Sequence, residues 1–174
     1  MKRFLILCLS LFLLAGLVGC KDIAFSRSSP SPAQSPSALT TRYQRAITAI
    51  QSESENESAS LITSSDDANA STIFRLLGVT ADDMTAYALR IPPSSDRAYG
   101  IALIKPAAGH EGIVEEGLKK YRHDLSDSFM DRQVDQYEIA RSAKIERLDD
   151  DTMLFVMCRE PDNVAAAIKR SLSA

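Results

Sequence analysis

The sequence predicts an α+β fold in which two ββα units form one four-stranded antiparallel sheet with helices packed on it. Three observations predict it. Short apolar runs at 85–91, 98–105, 143–148 and 152–158 end on prolines, charges or an aspartate turn, as strands do. Two longer segments, 111–132 and 160–172, repeat apolar residues every three or four positions, as helices do. The order strand, turn, strand, helix occurs twice, so that "GIALIKPAAGHEGIVEEGLKK" can be laid on "MLFVMCREPDNVAAAIKRSL".

The chain opens with Lys2 and Arg3 and then a continuous apolar stretch, "FLILCLSLFLLAGLV", at 4–18. A membrane-spanning helix needs about 20 apolar residues, and this run is shorter. A basic start, a short apolar core and small residues before a break make a secretory signal. The break "LVGC" resembles the lipobox of bacterial lipoproteins. By that resemblance Leu17, Val18 and Gly19 are read by the lipoprotein signal peptidase and Cys20 receives the lipid. One acyl chain holds a protein to a membrane weakly, and two or more hold it stably. The segmentation that follows is a signal peptide at 1–19, a lipidated cysteine and Ser/Pro-rich tether at 20–60, and an α+β domain at 61–174.

The tether reads "KDIAFSRSSPSPAQSPSAL" at 21–39, where apolar residues are too sparse to offset ordering entropy. After it a short helix is expected at 40–51, because Tyr43, Ala46, Ile47 and Ile50 fall on one face. Alone it is too short to be stable in water, so it should dock on the domain or on a partner. "SESENESAS" at 52–60 is polar again.

In the domain, "NASTIFRLLGV" gives a helix that ends on Gly78, a residue suited to a left-handed cap. The strand at 85–91 stops at Pro92 and Pro93, and "SSDR" carries the turn into the strand at 98–105, which Pro106 stops. The helix at 111–132 aligns Val114, Leu118, Tyr121, Leu125 and Phe129, with Glu111, Glu115 and Glu116 early and Lys119, Lys120 and Arg122 later, which suits the helix dipole. "AKIERL", the turn "DDD" and "TMLFVMC" make the second hairpin. The last helix takes Asp162 as N-cap and faces Val164, Ile168 and Leu172 inward. "GIALI" and "MLFVMC" are apolar at neighbouring positions, so both sheet faces need a cover. Two helices are expected on one face. The helix at 74–77, the 43–50 segment or a second molecule is expected on the other.

The residues also exclude chemistries. A formal charge of −3 argues against a nucleic-acid partner. Cys8 leaves with the signal and Cys20 is lipidated, so Cys158 has no partner for an internal disulfide and reads as a small buried hydrophobe. His110 and His123 lie apart, with no CxxC or HExxH context, so no metal site is expected. The seven glycines form no phosphate-cradling loop, and no G-x-S-x-G elbow is present. Asp149, Asp150 and Asp151 suit a tight turn and lack calcium-loop spacing. No enzyme activity and no cofactor are expected. Arg97, Tyr99 and Gln136 are the exposed side chains singled out as a surface site, and Cys20 is the lipidation site.

From about Leu76 to Leu172 the chain resembles a family of small Gram-positive lipoproteins known as a domain of unknown function, family four-three-five-eight. "LLGVTADDMTAYALRIP", "YGIALIKP", "VDQYEIARSAKIERL" and "TMLFVMC" carry the resemblance. Gln136 and Tyr137 match a Q-Y pair of the family, and Lys105 matches its strand-end lysine. Tyr99-Gly100 and Asp150-Asp151 depart from the Glu-Ile and glycine turn the family often shows. The resemblance implies a cell-envelope lipoprotein and brings no activity with it. The function expected is therefore a non-enzymatic accessory or interaction module, lipid-anchored at the extracytoplasmic face of the cell membrane. Its partner classes are an envelope protein or a second copy of the chain. The alternative is a module that binds a small ligand or an envelope polymer at the sheet edge or the 92–97 turn.

Overall fold

The computed structural model describes residues 35–50 and 59–174. The elements run α1 Pro36–Thr48, β1 Leu61–Ile62, α2 Ala70–Leu77, a 3-10 turn Ala81–Asp83, β2 Met84–Arg90, β3 Gly100–Pro106, α3 Glu111–Phe129, α4 Val134–Arg141, β4 Lys144–Arg147, β5 Met153–Met157 and α5 Pro161–Ser173. All strands pair antiparallel in the order β1-β2-β3-β5-β4. The expected four-stranded sheet is thus corrected to five strands. The extra one is β1, where Leu61 pairs with Arg90 and Ile62 with Leu89. Two residues are too few to show a period in a sequence.

Both faces of the sheet are buried, and period-two alternation divides its side chains between two clusters. Tyr87, Leu89, Ala102, Ile104, Phe155 and Met157 pack under α2, α3 and α4. Ala86, Ala88, Ile101, Leu103, Leu154 and Val156 pack under α1 and α5. The helices that follow the two hairpins, α3 and α5, therefore lie on opposite faces, which corrects the expectation that they share one. The reading of two equivalent ββα units does not carry over to this arrangement. The reason is burial: α2, α3 and α4 occupy one face, and α5 packs where apolar surface remains to be covered.

Helix α1 supplies the rest of that cover through Leu39, Tyr43, Ala46 and Ile47, and it belongs to the same compact unit as the sheet. It starts earlier than expected. Ser35 is its N-cap, with Oγ accepting from Ala38 N–H at 3.3 Å, and Pro36 opens the first turn. Residues 35–39, counted in the expected tether, are thus cap and first turn. Pro106 is the last residue of β3 rather than its stop. Helix α3 ends at Phe129 and a separate α4 follows; α4 buries only Ile139 and Ala140, too weak a stripe to announce itself. The N-cap of α5 is Glu160, with Asp162 inside the first turn.

Two glycines are required by geometry. Gly78 closes α2 at φ +64°, and its N–H bonds to the Arg75 carbonyl. At Gly117 of α3 a Cβ would stand 2.1 Å from the Leu77 carbonyl oxygen, so hydrogen is the only side chain that lets α3 pass the end of α2 this closely.

Candidate functional site

On the face covered by α1 and α5, the β4–β5 turn leaves an open groove of about 500 Å³. Tyr43, Leu148 and Leu172 line it apolarly, and Arg42, Glu146, Asp149, Asp150 and Lys169 bring both signs of charge to it. The turn is fixed locally. Leu148 N–H donates to the Thr152 carbonyl at 2.8 Å, Asp150 Oδ1 accepts from Thr152 N–H at 3.1 Å, and Asp151 takes a left-handed conformation at φ 61°. That conformation suits aspartate in a turn. The Asp149–Asp151 run is the turn that the sequence suggests.

Each element holds its groove residue through a contact to another. The buried Tyr43 hydroxyl of α1 is bonded to Thr152 Oγ1. Burial pushes its pKa up to about 12, against the opposing effect of the Thr152 bond, so the phenol is neutral at physiological pH. Arg42 donates to the Leu172 carbonyl near the C-terminus of α5, where orphan carbonyls favour a cation. Lys169 of α5 pairs with Glu146 of β4 at 2.7 Å, and Asp162 with Lys144 at 2.6 Å. The lining is mostly charged, with Tyr43, Leu148 and Leu172 among the charges, and convergent polar groups of this kind can hold a ligand in orientation.

The three residues singled out in the sequence lie at the other end of the sheet, where Gly100 pairs with Met157. The structure brings them together around one segment. Gln136 Oε1, on α4, accepts from Ala98 N–H at 2.7 Å. The Arg97 guanidinium stands 5.4 Å from the centre of the Tyr99 ring. Tyr99, however, is 2% exposed and packs in the α1/α5 cluster, which corrects its place among exposed side chains. It shares the face of Ile101 and Leu103 by alternation, a consequence of β3 being central. Beside the 92–97 turn there is a cavity of about 100 Å³ between Ser95 and α3.

Leu17, Val18, Gly19 and Cys20 lie outside the described residues. Cys158 is buried. His110 precedes α3, and its Nδ1 lies 2.7 Å from Asp83 Oδ1; His123 is further along α3, 3.4 Å from Asp127. Asp83 is 8% exposed, and its Oδ2 accepts from both the hydroxyl and the N–H of Thr80 at 2.7 Å. Those two bonds, then His110, hold its carboxyl below the usual carboxylate range. Among the described residues there is no cluster of three or more metal-ligating side chains.

Sequence reasoning missed the groove because it joins α1, β4 and α5, which are distant along the chain. The signal available was Tyr43, a phenol on an otherwise aliphatic helical face whose hydroxyl needs a buried partner.

One family model matches the chain. It spans residues 57–158 and is described as Domain of unknown function (DUF4358). No curated protein and no solved structure gives a significant match.

Proposed function

The chain belongs to that domain-of-unknown-function family, and from this premise we propose that it is a lipid-anchored module of the bacterial cell envelope. In this reading it is held at the extracytoplasmic face through Cys20 and acts without catalysis, through a partner in the envelope. The observation that carries the reading is "LVGC" at 17–20, where the apolar run at 4–18 ends. The position of α1 supports it. The helix begins at Pro36 after its N-cap Ser35, and the chain between Cys20 and Ser35, residues 21–34, has a contour length of at most roughly 50 Å. Among the described residues no helix is long and apolar enough to cross a membrane.

The experiment is metabolic labelling of the full-length chain with an alkyne fatty acid in a bacterial host, followed by membrane fractionation. The expected result is a labelled membrane protein, with label and membrane retention both lost in Cys20→Ala. Equal labelling of the two chains overturns the anchor. Pull-down of the crosslinked protein from its membrane, with Cys20→Ala as control, then tests for the partner.

A second reading has its own observation, the groove between α1, α5 and the β4–β5 turn, whose size suits a small ligand or one unit of an envelope polymer. It predicts a thermal shift with wall or polysaccharide fragments that Lys169→Ala reduces. No shift across such a panel removes it.

A further inference from the structure

β4 is the outermost strand of the sheet, and its register with β5 determines which of its backbone groups are used. The Leu148 N–H bonds to the Thr152 carbonyl, and the pairing continues through Glu146 with Leu154 and Lys144 with Val156. Bonded and non-bonded pairs alternate along an antiparallel ladder. Lys144 and Glu146 therefore turn their N–H and C=O toward β5, while Ile145 and Arg147 turn theirs outward. The opposite edge, β1, is two residues long.

Proteins commonly blunt such an edge with charged side chains. Here Lys144 is tied to Asp162 and Glu146 to Lys169, both on α5, over one face of the sheet. Both pairs lie on the α5 face, and among the described residues no strand pairs with the outer edge of β4.

We infer that this edge pairs antiparallel with the β4 edge of a second copy of the chain, with Ile145 opposite the partner's Ile145. The outward groups allow symmetric registers centred on Ile145, Glu146 or Arg147, and charge selects among them, the last setting Arg147 against the partner's Arg147. With the isoleucines on the two-fold axis, Lys144 stands opposite the partner's Glu146, and the pair occurs twice. With Glu146 on the axis, it meets the partner's Glu146. Directly opposed unlike charges stabilise a strand pair and like charges destabilise it. Glu146 also lines the groove, so the partner's Lys144 reaches the groove rim and each site takes a cation from the other copy. The second copy is the occupant that the charge pattern fits, because the strand is complementary to itself. The inference is independent of the anchor at Cys20.

Opposed residues of a bonded pair place their Cα atoms about 5.5 Å apart, within disulfide reach. The test is oxidative crosslinking of full-length chains carrying Ile145→Cys or Arg147→Cys, read on non-reducing gels against the unsubstituted chain. Thermal melts confirm that each variant is folded. The expected result is a crosslinked dimer with Ile145→Cys and none with Arg147→Cys. Adding Lys144→Glu should cut the dimer yield about ten-fold, and adding Glu146→Lys as well should restore it. No dimer with Ile145→Cys, equal dimer at both positions, or indifference to charge reversal each overturns the pairing.

Discussion

The Cβ that alanine would add at position 117 has no room, because the atom it meets is backbone, the Leu77 carbonyl oxygen at 2.1 Å, and not the end of a flexible side chain. Relief requires α3 and the end of α2 to separate across a packed core. Gly117→Ala is expected to cost about 1–3 kcal/mol, or more, read as a lowered midpoint in urea with an unchanged slope. Gly112, in the same helix with open space around it, is the control, and its alanine variant is expected to melt no lower than the parent. Asp83 makes a second residue-scale prediction. Its folded pKa lies below the ordinary value, so the unfolded chain binds that proton more readily, and stability falls with pH through the carboxylate range. Between about pH 5 and about pH 3, Asp83→Asn is expected to lose less melting temperature than the parent. The slope that persists belongs in part to Glu115 and Glu111, held low by the Lys119 bond and by backbone N–H groups respectively. Equal slopes in the two chains would remove Asp83 as the acid-sensitive group.

At the scale of elements, α1 shows how a segment that resembles linker becomes structure. Its apolar face was legible in Tyr43, Ala46 and Ile47. Its first turn was not, because serine and proline are at once tether composition and the residues that start a helix. What stabilises α1 is the sheet: Ile47 is fully buried against a surface built with Ala86 and Ala88. Ile47→Ala is therefore expected to cost about 2–5 kcal/mol, whereas Arg45→Ala on the exposed side should stay within about 0.5 kcal/mol. Chemical denaturation of the two variants distinguishes a packed helix from a loose strap; equal small losses would mean the latter. The hairpins were legible as well, since their prolines and aspartates stop strands for local reasons. β1 and α4 were not: one is too short for a period, and the other buries two residues.

For the whole molecule, the matched stretch at 57–158 contains all five strands and α2 to α4 and omits α1 and α5. That stretch covers one face of the sheet and leaves the other bare, with Ile101, Leu103, Leu154 and Val156 facing water. A chain cut to 57–158 is expected to melt without cooperativity and to bind a hydrophobic dye, while residues 35–174 melt cooperatively. A cooperative, monomeric melt of the shorter chain would show that α1 and α5 are dispensable to the fold. The same covering places the groove, which exists only where α1 and α5 meet the β4–β5 turn.

The sequence by itself determined the secondary elements with strong local periods, the mixed class of the fold and the need to cover both sheet faces, because each follows from residues near one another in the chain. The positions of Tyr99 and Gln136 were set by tertiary structure, which buried the first and made the side-chain Oε1 of the second the acceptor for the Ala98 N–H. Only the tertiary structure placed α3 and α5 on opposite faces, brought Tyr43 to Thr152 and set β4 last in the order of the described strands. Those outcomes depend on which apolar surfaces remain uncovered after the nearer elements have packed, a competition among distant segments that no local pattern records.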